Sequence, residues 1–163
     1  MTFEEYVLAR GPGLLRLARL LVDDAHRADD LVQDTLVRVY PRWERIVRTE
    51  QPDLYVRRTL VNLNTSWWRR RSSREVPAEI SADAWAGADD PGPAADERLA
   101  LWERVRALPH RQRAVIALRY YEDLDDERIG RILGCSRATV RTHAMRALAA
   151  MRVELRDLEE TSR

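Results

Sequence analysis

The chain has 163 residues, 45% of them hydrophobic, which is enough for a core in each of two small units. No stretch approaches the roughly 18 to 20 apolar residues that a membrane span requires, and the single cysteine, Cys135, excludes an internal disulfide or a multi-cysteine zinc site and fits a reducing cytoplasm. The net charge of +1 hides a segregation: residues 36–74 hold ten Arg against three acids, residues 76–101 six acids against Arg98, and residues 128–152 six Arg and no acid.

Two basic islands separated by an acidic stretch suggest two surfaces facing a polyanion, because neutralising phosphates releases condensed counterions. Solvated helix faces are the alternative at this level. The first residues, MTFEEYVLARG, carry acids and no apolar run of secretory type, so the expected location is the cytoplasm. No alternating strand pattern is found, and the fold expected is all-α.

In chain order, Thr2 with Glu5 forms a capping box for a first helix, and Gly11, Pro12 and Gly13 are expected to break it. A helix starting near Ala25 places Val32, Leu36, Val39, Trp43 and Ile46 in one narrow arc, the expected core face. The opposite arc carries Asp29, Asp30, Gln33, Asp34 and Val37, a polar back that an ordinary surface helix would also show. Pro41 lacks an amide hydrogen and should end the helix near Tyr40.

From Pro52 to Arg71, Val56, Leu60, Leu63 and Trp67 define a buried stripe. Arg58, Asn62, Thr65 and Arg69 lie on roughly the opposite side, beside Tyr55 and Ser66. Guanidinium, amide and hydroxyl groups without a carboxylate can bind phosphates and base edges. The stripe runs into Trp67, Trp68, Arg69, Arg70 and Arg71, and aromatics among arginines can stack on unpaired bases for about 1 to 3 kcal/mol each. Trp67 sits in the apolar stripe, which leaves Trp68 and Tyr55 as the stacking candidates.

Periodicity stops after Arg71, and residues 74–94 collect small, acidic, Pro and Gly residues of a flexible connection. Two small helical domains, 1–73 and 95–163, follow from this division. In the second, Pro109 opens a helix, Asp125 or Asp126 caps a short helix through Leu133, Gly134 to Ser136 make a tight turn, and Ser136 caps the last helix. Two short helices joined by a Gly-containing turn are the helix-turn-helix signature. Val140, Ala144, Ala147, Leu148 and Met151 form the inner side of the last helix. Arg137, Thr139, Arg141, Thr142 and Arg146 lie outside it, with Ala138 keeping the edge slim, as insertion into a major groove requires.

Chemistry is harder to find. His26, His110 and His143 share no metal-ligand spacing, and Asp29-Asp30 and Asp125-Asp126 sit where helix N-terminal turns favour negative charge. No catalytic constellation emerges, so neither enzymatic activity nor a cofactor is expected, and Cys135 reads as a small semi-buried turn residue.

Several of these segments, in this order, resemble extracytoplasmic-function sigma factors of RNA polymerase, with a WWRRR ending like that of the actinobacterial SigE-like subgroup. AHRADDLVQDTLVRVY (25–40) resembles their polymerase-binding helix and PDLYVRRTLVNLNTSWWRRR (52–71) their promoter-melting helix. LPHRQRAVIALRYYEDL (108–124) with RIGRILGCSRATVRTHAMRAL (128–148) resembles their minus-thirty-five-reading domain.

The resemblance implies that residues 1–73 are sigma region 2 and residues 95–163 region 4. It implies that Asp29, Asp30, Leu31, Gln33, Asp34 and Val37 dock on the clamp helices of the largest polymerase subunit, with the flap region as a second contact. Tyr55, Arg58, Asn62, Thr65, Trp68, Arg69 and Arg70 would engage the minus-ten region of promoter DNA. The loop from Arg48 to Asp53 would capture a flipped base, offsetting a few kcal/mol of lost stacking. Arg137, Thr139, Arg141, Thr142 and Arg146 would read the minus-thirty-five element, and an anti-sigma factor is a candidate further partner. Tyr55 stands where many relatives carry Trp, and Arg128 where a Glu is usual. The competing expectation is a stand-alone helix-turn-helix regulator, which leaves the Asp29–Asp34 face and the WWRRR helix without a role.

Overall fold

The computed structural model describes residues 1–73 and the backbone of residues 93–161, with side chains for residues 1–73 and 100–152. Among the described residues every regular element is helical. No described helix is long and apolar enough to cross a membrane. The acidic connection expected at 74–94 lies almost wholly outside the described residues.

Helix α1 (Phe3–Leu21) begins at the expected capping box: Glu5 N–H donates to Thr2 Oγ1 at 3.1 Å while Thr2 N–H donates to Glu5 Oε2 at 2.7 Å. The expected break at Gly11–Gly13 does not occur, and α1 runs through Pro12. Proline in a helix interior removes one hydrogen bond and crowds the carbonyl four residues back. That residue is Leu8, 81% exposed, so water can solvate its carbonyl. Tyr6 before the proline and Leu14, Leu17, Ala18 and Leu21 after it are all buried on one side, and this continuous burial overrides the local propensity.

Helix α2 (Ala25–Val39) is capped by Asp24, whose carboxylate accepts from Arg27 N–H at 2.7 Å. It ends before Pro41 as expected, in a single 3-10 turn (Tyr40–Arg42), and a short helix α3 (Trp43–Ile46) follows. Val39, Trp43 and Ile46 are buried, but Val32 and Leu36 are only half-buried. The innermost positions of α2 are Ala28, Leu31 and Thr35, so the core face is rotated from the expected arc. Thr35 can occupy it because its hydroxyl donates to Leu31 O at 2.7 Å, leaving only its methyl group to pack.

Helix α4 (Pro52–Ser72) lies across α1 and α2 and buries Val56, Leu60, Val61 and Asn64. In the C-terminal unit, α5 (Pro93–Ala107) precedes α6 (His110–Ile116), and α6 continues into a π-helical turn, Ala117–Tyr121. The turn closes with Asp123 at φ 52. Helix α7 (Asp126–Leu133), capped by Asp125, and α8 (Arg137–Thr161) form the helix-turn-helix. Gly134, at φ 69, is the left-handed residue between them. Ser136 caps α8 as expected, its Oγ accepting from Thr139 N–H at 3.1 Å.

The two units pack against each other, α1 on α6 and its π turn, α4 on α7. Arg113, 2% exposed, is the centre of that contact. From α6 it donates to Leu20 O at 2.6 Å, to Val22 O at 2.9 Å and to Asp23 Oδ1 at 2.9 Å. The Leu20 and Val22 carbonyls lie at the C-terminal end of α1, where the helix supplies no N–H donors for its last carbonyls and a cation is favoured. Arg106 adds a bond to Asp23 O. On the far side, Arg57 pairs with Asp53 in its own helix and with Glu122 across the contact, at 2.7 Å. Asp53 also accepts from the Tyr6 hydroxyl at 2.9 Å. Burial pushes that phenol up to about 12, so it stays a donor.

Candidate nucleic-acid interface

Three faces carry the residues singled out from the sequence. On α2, Asp29, Asp30, Gln33 and Asp34 are exposed and Val37 is 72% exposed, which makes one acidic face with an apolar point. Leu31 does not belong to it. At 3% exposure it is a core residue, because its position in the helical repeat groups it with Ala28 and Thr35.

On α4, Tyr55, Arg58, Asn62, Arg69 and Arg70 are exposed, and Thr65 and Trp68 are half-buried. Tyr55 and Arg58 join Thr49, Glu50, Gln51 and Leu54, with Arg131 of α7 on the opposite side, around a cavity of about 310 Å3. Thr49, Glu50 and Gln51 belong to the 48–53 loop that the resemblance implies would capture a flipped base, and the volume lies at the lower end of the roughly 300 to 1,000 Å3 of organic-ligand sites. Trp67 is neither core nor free: the Arg27 guanidinium lies 3.4 Å above its ring centre, a cation–π contact. Burial brings the Arg27 pKa down to about 10, and the side chain stays charged at neutral pH. Trp68 meets Trp67 edge to face and lies near-parallel to His110 of α6, centroids 6.3 Å apart. One of the two stacking candidates is therefore covered by the C-terminal unit.

On α8, Arg137, Thr139, Arg141, Thr142 and Arg146 are all exposed, while Val140, Ala144 and Ala147 are buried. Asp126 accepts from Arg119 at 2.6 Å and stands 4.0 Å from Arg141 Nε, so one carboxylate borders this exposed arginine. The helix-turn-helix also meets α4: Arg58 lines a cleft with the turn residues Gly134, Cys135 and Ser136 and with Arg137.

Sequence reasoning missed Asn64, Arg113 and the pairing of His110 with Trp68. Asn64 carried a signal, since it continues the Val56, Leu60 spacing as a polar residue at a core position. Arg113 carried none, because its acceptors are about ninety residues away. His110 is less basic than usual, through burial first and then Arg111 and Arg69.

These two helical units, with a basic helix in the first and a helix-turn-helix in the second, coincide with two family matches. Residues 7–74 match Sigma-70 region 2 and residues 98–151 match Sigma-70, region 4. The RNA polymerase sigma-E factor of Streptomyces avermitilis is 42% identical over 161 residues, covering 98% of this chain and 89% of the relative. This chain is an extracytoplasmic-function sigma factor of the sigma-70 family. The sigma-E factor of Streptomyces coelicolor is 41% identical over the same length, covering 98% of this chain and 90% of the relative. The fold matches the sigma factor RpoE from Bartonella quintana, solved with the anti-sigma factor NepR, at a TM-score of 0.77 and 23% identity over 94% of this chain and 96% of that one. As a sigma factor the protein binds core RNA polymerase and promoter DNA and directs transcription initiation. It is an initiation factor and not an enzyme.

Proposed function

We propose that the sigma factor divides its task among the three faces just described. The acidic face of α2, Asp29, Asp30, Gln33, Asp34 and Val37, docks on the clamp helices of the largest polymerase subunit, and residues 95–163 add the contact to the flap region. Tyr55, Arg58, Asn62, Thr65, Trp68, Arg69 and Arg70 engage the minus-ten element, the 49–55 cavity receiving a flipped base. Arg137, Thr139, Arg141, Thr142 and Arg146 read the minus-thirty-five element. Domain limits of 1–73 and 95–163, with an acidic connection between, go with this division, as does action in the cytoplasm.

The observation that carries the reading is the cavity under Tyr55 and Arg58. Its α4 wall, with the exposed Tyr55, Arg58 and Asn62 beside it, offers a recess next to groups that bind phosphates and base edges, as melting one strand requires, and Arg131 closes its other side only while the units are packed. α7 and α6 border α4, so binding both promoter elements at once requires the units to separate, and binding of core polymerase supplies the differential affinity that favours separation. An anti-sigma factor, the partner seen with the Bartonella chain, would draw its affinity from the opposite preference.

Run-off transcription tests this. Core polymerase with the sigma factor is expected to yield a promoter-specific transcript that core alone does not. An operator footprint by the protein alone, with no polymerase-dependent transcript from a genomic library, would overturn the assignment.

A further inference from the structure

A second cavity, of about 230 Å3, lies between α4 and α6, and three of the residues that line it, Asn62, Thr65 and Arg69, are among those assigned above to the minus-ten element. Asn64, Thr65, Ser66 and Arg69 contribute one wall and His110 and Arg111 the other, and its lining contains no acid. Arg69, Arg111 and His110 thus border a partly open cavity with no counter-charge in its lining. Asn64 is 3% exposed, yet its Oδ1 has no hydrogen-bond partner, and neither have the His110 Nε2 nor the Trp68 Nε1 beside it. Buried polar groups are nearly always paired, so this group of unpaired atoms marks a place for something polar.

We propose that this cavity binds a small phosphate-bearing anion that holds the two units together. A phosphate offers acceptor oxygens to Arg69, Arg111 and the hydroxyls of Thr65 and Ser66, through charge-assisted bonds. In its singly protonated form it also carries a hydroxyl that donates to Asn64 Oδ1. The volume decides the size of the ligand: it lies below the roughly 300 to 1,000 Å3 of sites for larger organic ligands. Inorganic phosphate, or the phosphate end of a small phosphorylated metabolite, fits where a dinucleotide does not. Burial lowers the basicity of His110, and Arg111 and Arg69 of the cavity wall lower it further.

Each unit supplies one wall, so the anion makes its full set of bonds only when the units are packed, and by linkage it favours that arrangement. Thr65 and Arg69, assigned above to the minus-ten element, are then engaged elsewhere. The anion would act as a brake on promoter binding.

The test uses the full chain at constant ionic strength, titrated with inorganic phosphate and separately with pyrophosphate. The His110 ring resonances are followed by NMR and the radius of gyration by X-ray scattering. Saturation at one equivalent is expected, with a rise in the His110 pKa and no expansion. Arg111→Gln or Arg69→Gln should weaken binding about tenfold or more, the worth of one charge-assisted bond. Arg16→Gln, which removes the same charge from the exposed side of α1, should leave it near wild type. Circular dichroism checks that each variant keeps its helices, and the exposed Arg69 guards against a folding defect at Arg111. A non-saturating response, or equal weakening by all three variants, would overturn the proposal. So would saturation by a short single-stranded DNA and by neither phosphate, which would make the cavity part of the nucleic-acid groove.

Discussion

A Cβ on Gly130 would stand 2.6 Å from the carbonyl oxygen of Cys135, closer than nonbonded carbon and oxygen atoms approach. The same carbonyl region is held by Cys135 N–H donating to Gly130 O at 3.0 Å, so α7 and the turn are in direct backbone contact. The requirement is for an absent side chain and not for an unusual φ, since Gly130 is helical. Gly130→Ala must therefore push the turn away from α7, and overpacking of this kind costs roughly 1 to 3 kcal/mol. Urea unfolding should show a lowered midpoint with the slope unchanged; an unaltered midpoint would mean that the turn yields freely. Asn64 makes the complementary case, a polar group in a core stripe with an atom left unpaired, legible in the sequence only as a break in spacing.

Helices α2 and α8 are both amphipathic and both end with an exposed polar face, yet the faces have opposite charge. That difference suits them to partners of opposite charge. On α2 the acids Asp29, Asp30 and Asp34 are exposed and would repel DNA. On α8 the described outer face is arginine, threonine and alanine, with one exposed methionine, Met145. Asp34→Arg should weaken association with core polymerase, measured by fluorescence anisotropy, and leave helicity unchanged. Arg141→Ala should instead weaken minus-thirty-five binding by roughly 1 to 3 kcal/mol at one base pair only if its guanidinium reads a base edge. Equal loss on every sequence would make Arg141 a phosphate contact, and wild-type polymerase affinity in the Asp34 variant would remove α2 from the interface. At this scale α1 also shows a limit of local signals, because Gly-Pro-Gly punctuates the sequence but not the helix.

The closed arrangement of the two units rests on few polar contacts, and Arg113 carries three of them at 2% exposure. Desolvation lowers its proton affinity, Asp23 restores part of it, and the group stays charged. Deleting one member of a buried ion pair costs roughly 3 to 5 kcal/mol where the other stays dry. Separation of the units lets water reach Asp23 and the two carbonyls, so opening is the cheaper response. Arg113→Ala should increase the radius of gyration of the full chain without loss of helix content. A variant as compact as wild type would show that apolar packing between α4 and α7 suffices.

Much of the molecule was determined by local sequence. Capping residues at Thr2, Asp125 and Ser136, the stop at Pro41 and the left-handed turn at Gly134 act within a few residues, and the structure has all of them. So did the exposed members of the three faces, since amphipathic spacing needs no knowledge of what lies opposite. What required the tertiary structure was everything set by contacts across the chain: the rotation of α2 that takes Leu31 into the core, the survival of α1 through Pro12, the covering of Trp68 by His110, and the burial of Arg113. Such contacts depend on which surfaces meet after folding, and residues ninety positions apart leave no periodicity to read.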